Sequence, residues 1–150
     1  MASCPISSQR IDTNLVRVIS FQIFFFTLLF AVTQNTLFMG IVLFDLTMRV
    51  LRKDSFSLFA QTGKFILEQW NAVPRYTDES PKRFALYLGL FMTVTITALA
   101  FFGLFKTAVA VALILMICAF IEVLFDFCIG CKIYYTLQLF KAIKHDRNFN

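Results

Sequence analysis

The sequence predicts an all-α membrane protein. We expect four transmembrane helices arranged as two hairpins, an amphipathic interfacial helix in the central loop, and a short amphipathic helix at the C-terminus. The first observation is composition: of the 150 residues, 59% are hydrophobic and 15% are charged, with 20 Phe. Ordinary soluble domains contain about 45–50% apolar and about 25% charged residues. The second observation is that the apolar residues form long, nearly uncharged runs, which is typical of membrane spans.

The apolar runs place the four spans in two close pairs. The first pair covers residues 16–33 and 36–51, and the second covers 84–102 and 107–127. Eighteen helical residues rise about 27 Å, which is near the lower limit for crossing a bilayer. We therefore expect residues 1–150 to form a single integral membrane domain.

Segment 54–71 separates the two pairs, and two interpretations fit it equally well. Its aromatic residues are interleaved with polar ones, so one side of a helix would be apolar. Such a helix can lie in the membrane interface, with Trp70 at the level of the lipid headgroups. It can equally be a linker helix that packs on the spans. A second amphipathic helix, short and close to the C-terminus, is expected over 132–144.

The basic residues predict the orientation of the chain. Of 14 Lys and Arg, Lys106 alone falls in a loop on the side away from both predicted termini. The positive-inside rule then places the N- and C-termini in the cytoplasm, in a multi-pass protein of the bacterial inner membrane surrounded by the lipid bilayer. The net charge of +5 comes from residues that flank the spans, so nucleic acid is not expected as a partner.

The sharpest chemical signal is the C-x-x-C pair formed by Cys128 and Cys131 at the cytoplasmic end of the fourth span. Two such cysteines can form a reversible disulfide, carry a persulfide, or supply half of a metal site. The adjacent Lys132 would favour a thiolate. The alternative is that two small residues permit close packing at a helix end. Cys4 is the candidate third thiol, but no fourth zinc ligand is evident, so we assign no metal and no cofactor.

Two further positions near this pair are interpreted structurally. Gly130 is expected to end or kink the helix. Cys118 lies about 15 Å along the helix from Cys128 at the helical rise, so it is interpreted as a small buried hydrophobe.

Apart from Arg17 at the start of the first span, four charged residues fall inside the predicted spans. Asp45 and Arg49 are four residues apart and opposite in sign, and with Asp126 they are expected to form a buried ionic cluster. The alternative is proton coupling, because burial favours the neutral form of a carboxyl. Glu122 lies deeper and has no obvious partner, so for this residue both interpretations stay open.

Four short sequences can now be considered together. They are Cys4-Pro5-Ile6-Ser7, the Asp45 and Arg49 pair, Pro81-Lys82-Arg83-Phe84, and Phe127-Cys128-Ile129-Gly130-Cys131. In that order they resemble the small bacterial membrane-protein family catalogued as domain of unknown function 4395. The resemblance covers nearly the whole chain, and its most specific part is the phenylalanine-led C-x-G-C. It implies a sulfur or redox role, with a thioredoxin-like or sulfurtransferase protein as partner.

Three functions from different classes fit these observations. The best supported is a thiol redox or sulfane-sulfur relay through Cys128 and Cys131. The second is a small oligomeric transporter or channel in which Glu122 and Asp126 line a polar path, which requires a homo-oligomer because four short helices leave little room inside one subunit. The third is a noncatalytic membrane partner protein. The sequence has no phosphate-binding Gly-rich loop, hydrolase triad or His-rich metal motif, which argues against a classical hydrolase or NTP-dependent enzyme.

Overall fold

The computed structural model describes residues 10–125 and 127–147, with the side chains of Arg10, Asp54 and Asp78 left out of the description. Within these residues the chain is helical apart from one short two-stranded ribbon and its loops. The strands are β1 (Arg10–Asp12) and β2 (Tyr76–Asp78). The helices are α1 (Thr13–Thr33), α2 (Thr36–Val50), α3 (Leu58–Gln69), α4 (Glu79–Phe101), α5 (Phe105–Phe125) and α6 (Ile129–Arg147).

Three helices, α1, α4 and α5, are long and apolar enough to cross a membrane. Helix α2 has 15 residues, and at the helical rise it is about 22 Å long, which is shorter than the bilayer core of about 30 Å. The predicted all-helical membrane class is therefore confirmed with three candidate spans. The remaining predicted span, over residues 36–51, stays a prediction.

Helices α1, α2, α4 and α5 pack as a closed ring. Helices α1 and α2 are joined by a short turn, and α4 and α5 by another; α1 also packs on α5, and α2 on α4. Asn35 begins α2 by accepting the N–H of Leu37 at 3.0 Å, which is standard N-cap chemistry. Outward-facing apolar side chains stay exposed, as for Phe91 at 68%. Such surfaces suit contact with lipid.

Helix α3 runs along α1 in the opposite direction. The ring of Phe59 lies 5.2 Å from that of Phe26, and one turn later a Cβ at Gly63 would lie 2.9 Å from Leu15. Helix α3 thus packs on α1, and its location in the membrane interface stays a prediction. Trp70, at the end of α3, is 77% exposed, and its contact with lipid headgroups stays a prediction.

The ribbon was not predicted from the sequence. Strands β1 and β2 are antiparallel, with Asp12 opposite Tyr76. Each strand leads directly into a helix, so the ribbon brings the starts of α1 and α4 together. Asp12 also caps α1 by accepting the N–H of Asn14 at 2.9 Å and that of Arg75 at 3.2 Å. The predicted third span began at residue 84, whereas α4 begins at Glu79, because the ribbon starts the helix earlier.

The predicted role of Gly130 is wrong. Helix α5 ends at Phe125, and α6 begins at Ile129, so Gly130 lies in the first turn of a new helix. It neither ends nor kinks a helix. Its role is steric, since it lies against Ala85 of α4.

Candidate functional site

The helices line a partly open cavity of about 800 Å³, with Cys128 in its wall. We call it the thiol cavity. On α4 its lining extends from Glu79 to Met92, which is about 20 Å at the helical rise. The cavity therefore reaches from the ribbon to the middle of the helices.

The two ends of the thiol cavity differ in polarity. Its deeper wall is apolar and includes Ile23, Met92 and Leu115. Near the ribbon, Glu79 and Arg83 form an ion pair of 2.5 Å. In all, five basic and three acidic side chains line the cavity, which gives it an excess of positive charge. They are Arg49, Arg52, Lys64, Lys82 and Arg83, with Asp12, Glu79 and Glu122.

Cys128 stands at the N-cap of α6. Its Sγ accepts a hydrogen bond from the backbone N–H of Cys131 at 3.3 Å. The first N–H groups of a helix lack intrahelical partners, and an N-cap side chain normally satisfies the third of them. The two intervening residues of the C-x-x-C place Cys131 at that third position, so the spacing itself creates the contact.

The two thiols differ in acidity. A hydrogen bond from the Cys131 side chain lowers the pKa of Cys128 below that of an ordinary thiol, with smaller lowering effects from the Cys131 backbone N–H and Lys82. Burial and the negative charge of Glu122 oppose this lowering. The same thiol–thiol hydrogen bond raises the pKa of Cys131, with burial as the next cause. Cys128 is therefore the sulfur that ionises first, and Cys131 keeps its proton.

The cation that acts on Cys128 is not the one the sequence indicated. Lys132 was expected to favour the thiolate, but its Nζ lies 5.3 Å from the centre of the Phe127 ring, in a cation–π arrangement. Lys82, on α4, lines the thiol cavity and lowers the pKa of Cys128. Sequence reasoning missed it because Lys82 is far from Cys128 along the chain and the two share a cavity only in the folded protein.

Glu122 and Cys118 also line the thiol cavity. The Ser20 hydroxyl on α1 donates to Glu122 Oε2 at 2.9 Å, so the partner that the sequence did not show is a serine. Cys118 was interpreted as a buried hydrophobe, but it is half-buried in the same cavity as Cys128. The structure thus brings two cysteines and a carboxyl to one space.

Comparison with known protein families gives one match. A family model described as domain of unknown function (DUF4395) matches residues 11–138. The chain belongs to this family. The match includes Asp45, Arg49, Cys128 and Cys131, and it begins after Cys4. No curated protein and no solved structure matches this DUF4395 protein.

Asp45 of the DUF4395 protein is fully buried and holds the start of α3. Its Oδ1 accepts the Ser57 hydroxyl at 2.7 Å and the Phe59 N–H at 2.9 Å. Within the described ranges, Oδ2 has no hydrogen-bond partner. Arg49 lines the thiol cavity, and Asp126 lies outside the described residues. The ionic cluster of these three charged residues is therefore untested and stays a prediction.

Arg17 has a structural role that the sequence did not indicate beyond its charge at the start of the first predicted span. Its Nε and Nη2 atoms donate to the Val123 carbonyl at 3.1 and 2.7 Å. Carbonyls in the last turn of a helix lack intrahelical partners, and a cation there also complements the helix dipole. Arg17 thus ties α1 to the end of α5, just before the cysteine pair.

Metal binding was not predicted, and Cys4, the candidate third thiol, lies outside the described residues. Among residues 10–125 and 127–147, no group of three or more His, Cys, Asp or Glu is placed to hold a metal ion. The described part of the DUF4395 site contains thiols, a carboxyl and basic side chains.

Proposed function

We propose that the protein is a membrane thiol-exchange protein in which Cys128 is the nucleophile and Cys131 the resolving thiol. The observation that carries this proposal is the position of Cys128: its Sγ caps α6, accepts the Cys131 N–H, and faces the thiol cavity. The thiolate is the reactive form of a cysteine, and a helix N-terminus favours it. A cysteine kept only for packing would need neither the hydrogen bonds nor the cavity.

The chemistry follows from the difference between the two thiols. The Cys128 thiolate attacks one sulfur of a disulfide substrate, forms a mixed disulfide, and releases the other sulfur as a thiolate. Cys131 then loses its proton and attacks the Cys128 sulfur, which closes the Cys128–Cys131 disulfide and releases the second substrate thiolate. With a sulfane-sulfur donor, the first step instead transfers the outer sulfur to Cys128 as a persulfide and releases the remainder of the donor as an anion.

The proposal includes a location and a partner. Four spans in the bacterial inner membrane, with both termini cytoplasmic, put the pair in a reducing compartment. A disulfide formed there needs a reductant, and a thioredoxin-like protein is suited to supply electrons. A sulfurtransferase is suited to exchange persulfide sulfur with Cys128.

A small oligomeric transporter or channel is the second candidate, because Glu122 and five basic residues line the same cavity. The two functions depend on different residues. Loss of function in Cys128→Ser with Glu122→Gln tolerated favours thiol exchange, and the reverse pattern favours transport. Indifference to both substitutions favours a noncatalytic partner protein.

Trapping of a mixed disulfide tests thiol exchange directly. The full chain in lipid nanodiscs is incubated with hydroxyethyl disulfide, quenched with acid, alkylated, and analysed by mass spectrometry. We expect Cys131→Ser to accumulate the adduct on Cys128, because the resolving thiol is gone. Cys128→Ser, the matched variant, should accumulate little adduct on Cys131. Equal labelling of both positions, or none under disulfide, thiosulfate and peroxide challenge, would overturn the proposal.

A further inference from the structure

We propose that the thiol cavity binds a lipid-soluble quinone, with the quinone ring beside Cys128, and that this quinone oxidises the Cys128–Cys131 pair. The inference rests on the proposed thiol exchange and names a second electron acceptor, besides a disulfide substrate, for the same site. It is carried by the size of the cavity, the polarity of its two ends, and the presence of Cys128, one thiol of the pair, in its wall.

The size and the apolar depth of the cavity favour an amphiphile over a small ion. Pockets for organic ligands typically measure about 300–1,000 Å³ and are mostly apolar with a few polar groups. The thiol cavity, at about 800 Å³, falls in this range. A sulfur oxyanion would occupy only its charged end and leave the wall around Ile23, Met92 and Leu115 without a ligand. An isoprenoid tail fits that wall.

The charged end suits the head of a quinone. Lys82 and Cys128 both line the cavity, and the charge of Lys82 favours the Cys128 thiolate. A basic side chain beside a quinone carbonyl stabilises the negative charge that develops on its oxygen during reduction. The Ser20 and Glu122 pair adds a hydroxyl and a carboxyl to this end of the cavity.

A fatty acid is the strongest competing occupant, because basic residues would hold its carboxylate and the deeper wall its chain. The dithiol decides between the two. A fatty acid accepts no electrons from thiols, whereas a quinone accepts the two that disulfide formation releases. The cavity also reaches the middle of α1, α4 and α5, the helices apolar enough to cross a membrane. Quinones dissolve in that apolar region.

The reaction balances without a further reagent. The S–H bonds of Cys128 and Cys131 are lost, and one S–S bond forms between them. The two electrons and two protons released convert the two quinone carbonyls into the hydroxyls of a hydroquinone. Cys128, the more acidic thiol, reacts with the quinone first. The protonated Cys131 thiol, held beside it, then closes the disulfide.

The test uses the full chain, fully reduced, in nanodiscs made from quinone-free lipid. Decylubiquinone is added, its reduction is followed by ultraviolet absorbance, and acid-quenched samples are alkylated for mass spectrometry. We expect one hydroquinone for each Cys128–Cys131 disulfide. Met92→Trp fills the deeper part of the cavity and should slow the reaction at least tenfold without changing alkylation of Cys128. Phe91→Trp, one residue away and facing outward, is the matched control and should react at the wild-type rate.

The other possible results distinguish the quinone proposal from thiol exchange alone and from a lipid site. If hydroxyethyl disulfide oxidises the pair and decylubiquinone does not, the quinone proposal is wrong and thiol exchange stands; if neither oxidises it, both fail. Wild-type rates in Met92→Trp would show that quinone reacts outside the cavity and would overturn the proposal. Oleate that shields Cys128 from alkylation where decylubiquinone does not would identify a lipid site instead. Ala119→Phe, in the α5 wall of the cavity, replaces Met92→Trp if that variant does not fold.

Discussion

A Cβ atom at Gly130 would lie 2.7 Å from the Cβ of Ala85. Non-bonded carbon atoms do not approach this closely, so α6 reaches α4 only because residue 130 has no side chain. Gly130 lies between Cys128 and Cys131, and the contact therefore fixes where both thiols lie relative to the thiol cavity. The glycine of the C-x-x-C is thus a steric requirement of the site.

Gly130→Ala should move α6 away from α4. We expect it to destabilise the protein by about 1–3 kcal/mol, the usual cost of overpacking, and to slow alkylation of Cys128. Thermal unfolding and a timed alkylation assay measure the two effects. Gly40→Ala is the matched control, because a Cβ at that helical glycine meets nothing within 4 Å. Equal behaviour of the two variants would mean that α6 is free to adjust.

Two charges in the thiol cavity should shift the reactivity of Cys128 in opposite directions. Lys82 lowers the pKa of Cys128 and Glu122 raises it. Lys82→Gln should therefore raise that pKa and slow alkylation at neutral pH, since less thiolate is present, whereas Glu122→Gln should lower it and speed alkylation. The measurement is the alkylation rate of Cys128 as a function of pH.

Lys132→Gln is the control for this pH experiment. Its Nζ lies over the Phe127 ring, so its removal should shift the Cys128 profile less than removal of Lys82. A larger shift in Lys132→Gln would restore the role that the sequence gave to this lysine and remove Lys82 from the site.

The cysteine pair shows which features of the site can be predicted from the sequence. The spacing of Cys128 and Cys131 is a local pattern, and because it matches the distance from an N-cap to the third helical residue, it also determines their hydrogen bond. No local sequence pattern reveals the role of Lys82, because its effect on Cys128 depends on how α4 and α6 pack. The same holds for Arg17, whose charge is visible in the sequence but whose acceptor, the Val123 carbonyl, is a backbone atom.

The fold was predictable to a similar extent. Long apolar runs predict helices, and three of the predicted spans overlap helices apolar enough to cross a membrane. Strands β1 and β2 have three residues each, too few for a period-two pattern to be recognised. Their pairing is nonlocal, and it sets where α1 and α4 begin.

Asp45 tests whether a buried carboxylate acts by its charge or by its hydrogen bonds. Asp45→Ala leaves the Ser57 hydroxyl and the Phe59 N–H without their acceptor, and it should cost about 1–3 kcal/mol. Asp45→Asn keeps an oxygen at the Oδ1 position and should cost clearly less. Thermal unfolding of both variants in the same detergent makes the comparison. If Asn costs as much as Ala, charge pairing is what Asp45 supplies, as the ionic-cluster prediction requires.

Arg17 should stabilise the end of α5 through its two hydrogen bonds to Val123. Arg17→Met removes both, and we expect a loss of about 1.5–3 kcal/mol, the usual value for hydrogen bonds to a charged group. Arg17→Lys keeps the charge but not the planar pair of donors, so it should fall between Met and wild type. Unfolding midpoints in detergent measure the series. A full rescue by Lys would show that only the charge matters at this position.

Helix α2 determines the topology, because its 15 residues fall short of the length of an ordinary span. We expect α2 to cross nevertheless. It packs between α1 and α4, and the basic residues at its end, Arg49 and Arg52, can extend toward the interface while the bilayer thins locally. Crossing by α2 makes four spans, which puts both termini on one side; without it, three spans put them on opposite sides.

Reporter fusions distinguish the two topologies. Fusions after Asn71 and Asn150 should report the cytoplasm, and fusions after Asn35 and Lys106 the periplasm. Lys106 is the control, because it follows the α4 span in either topology and must lie opposite Asn71. A periplasmic signal after Asn71 would mean that α2 turns back without crossing. It would also remove the charge argument that places Cys128 and Cys131 in the cytoplasm, because Arg75, Lys82 and Arg83 would then lie on the periplasmic side.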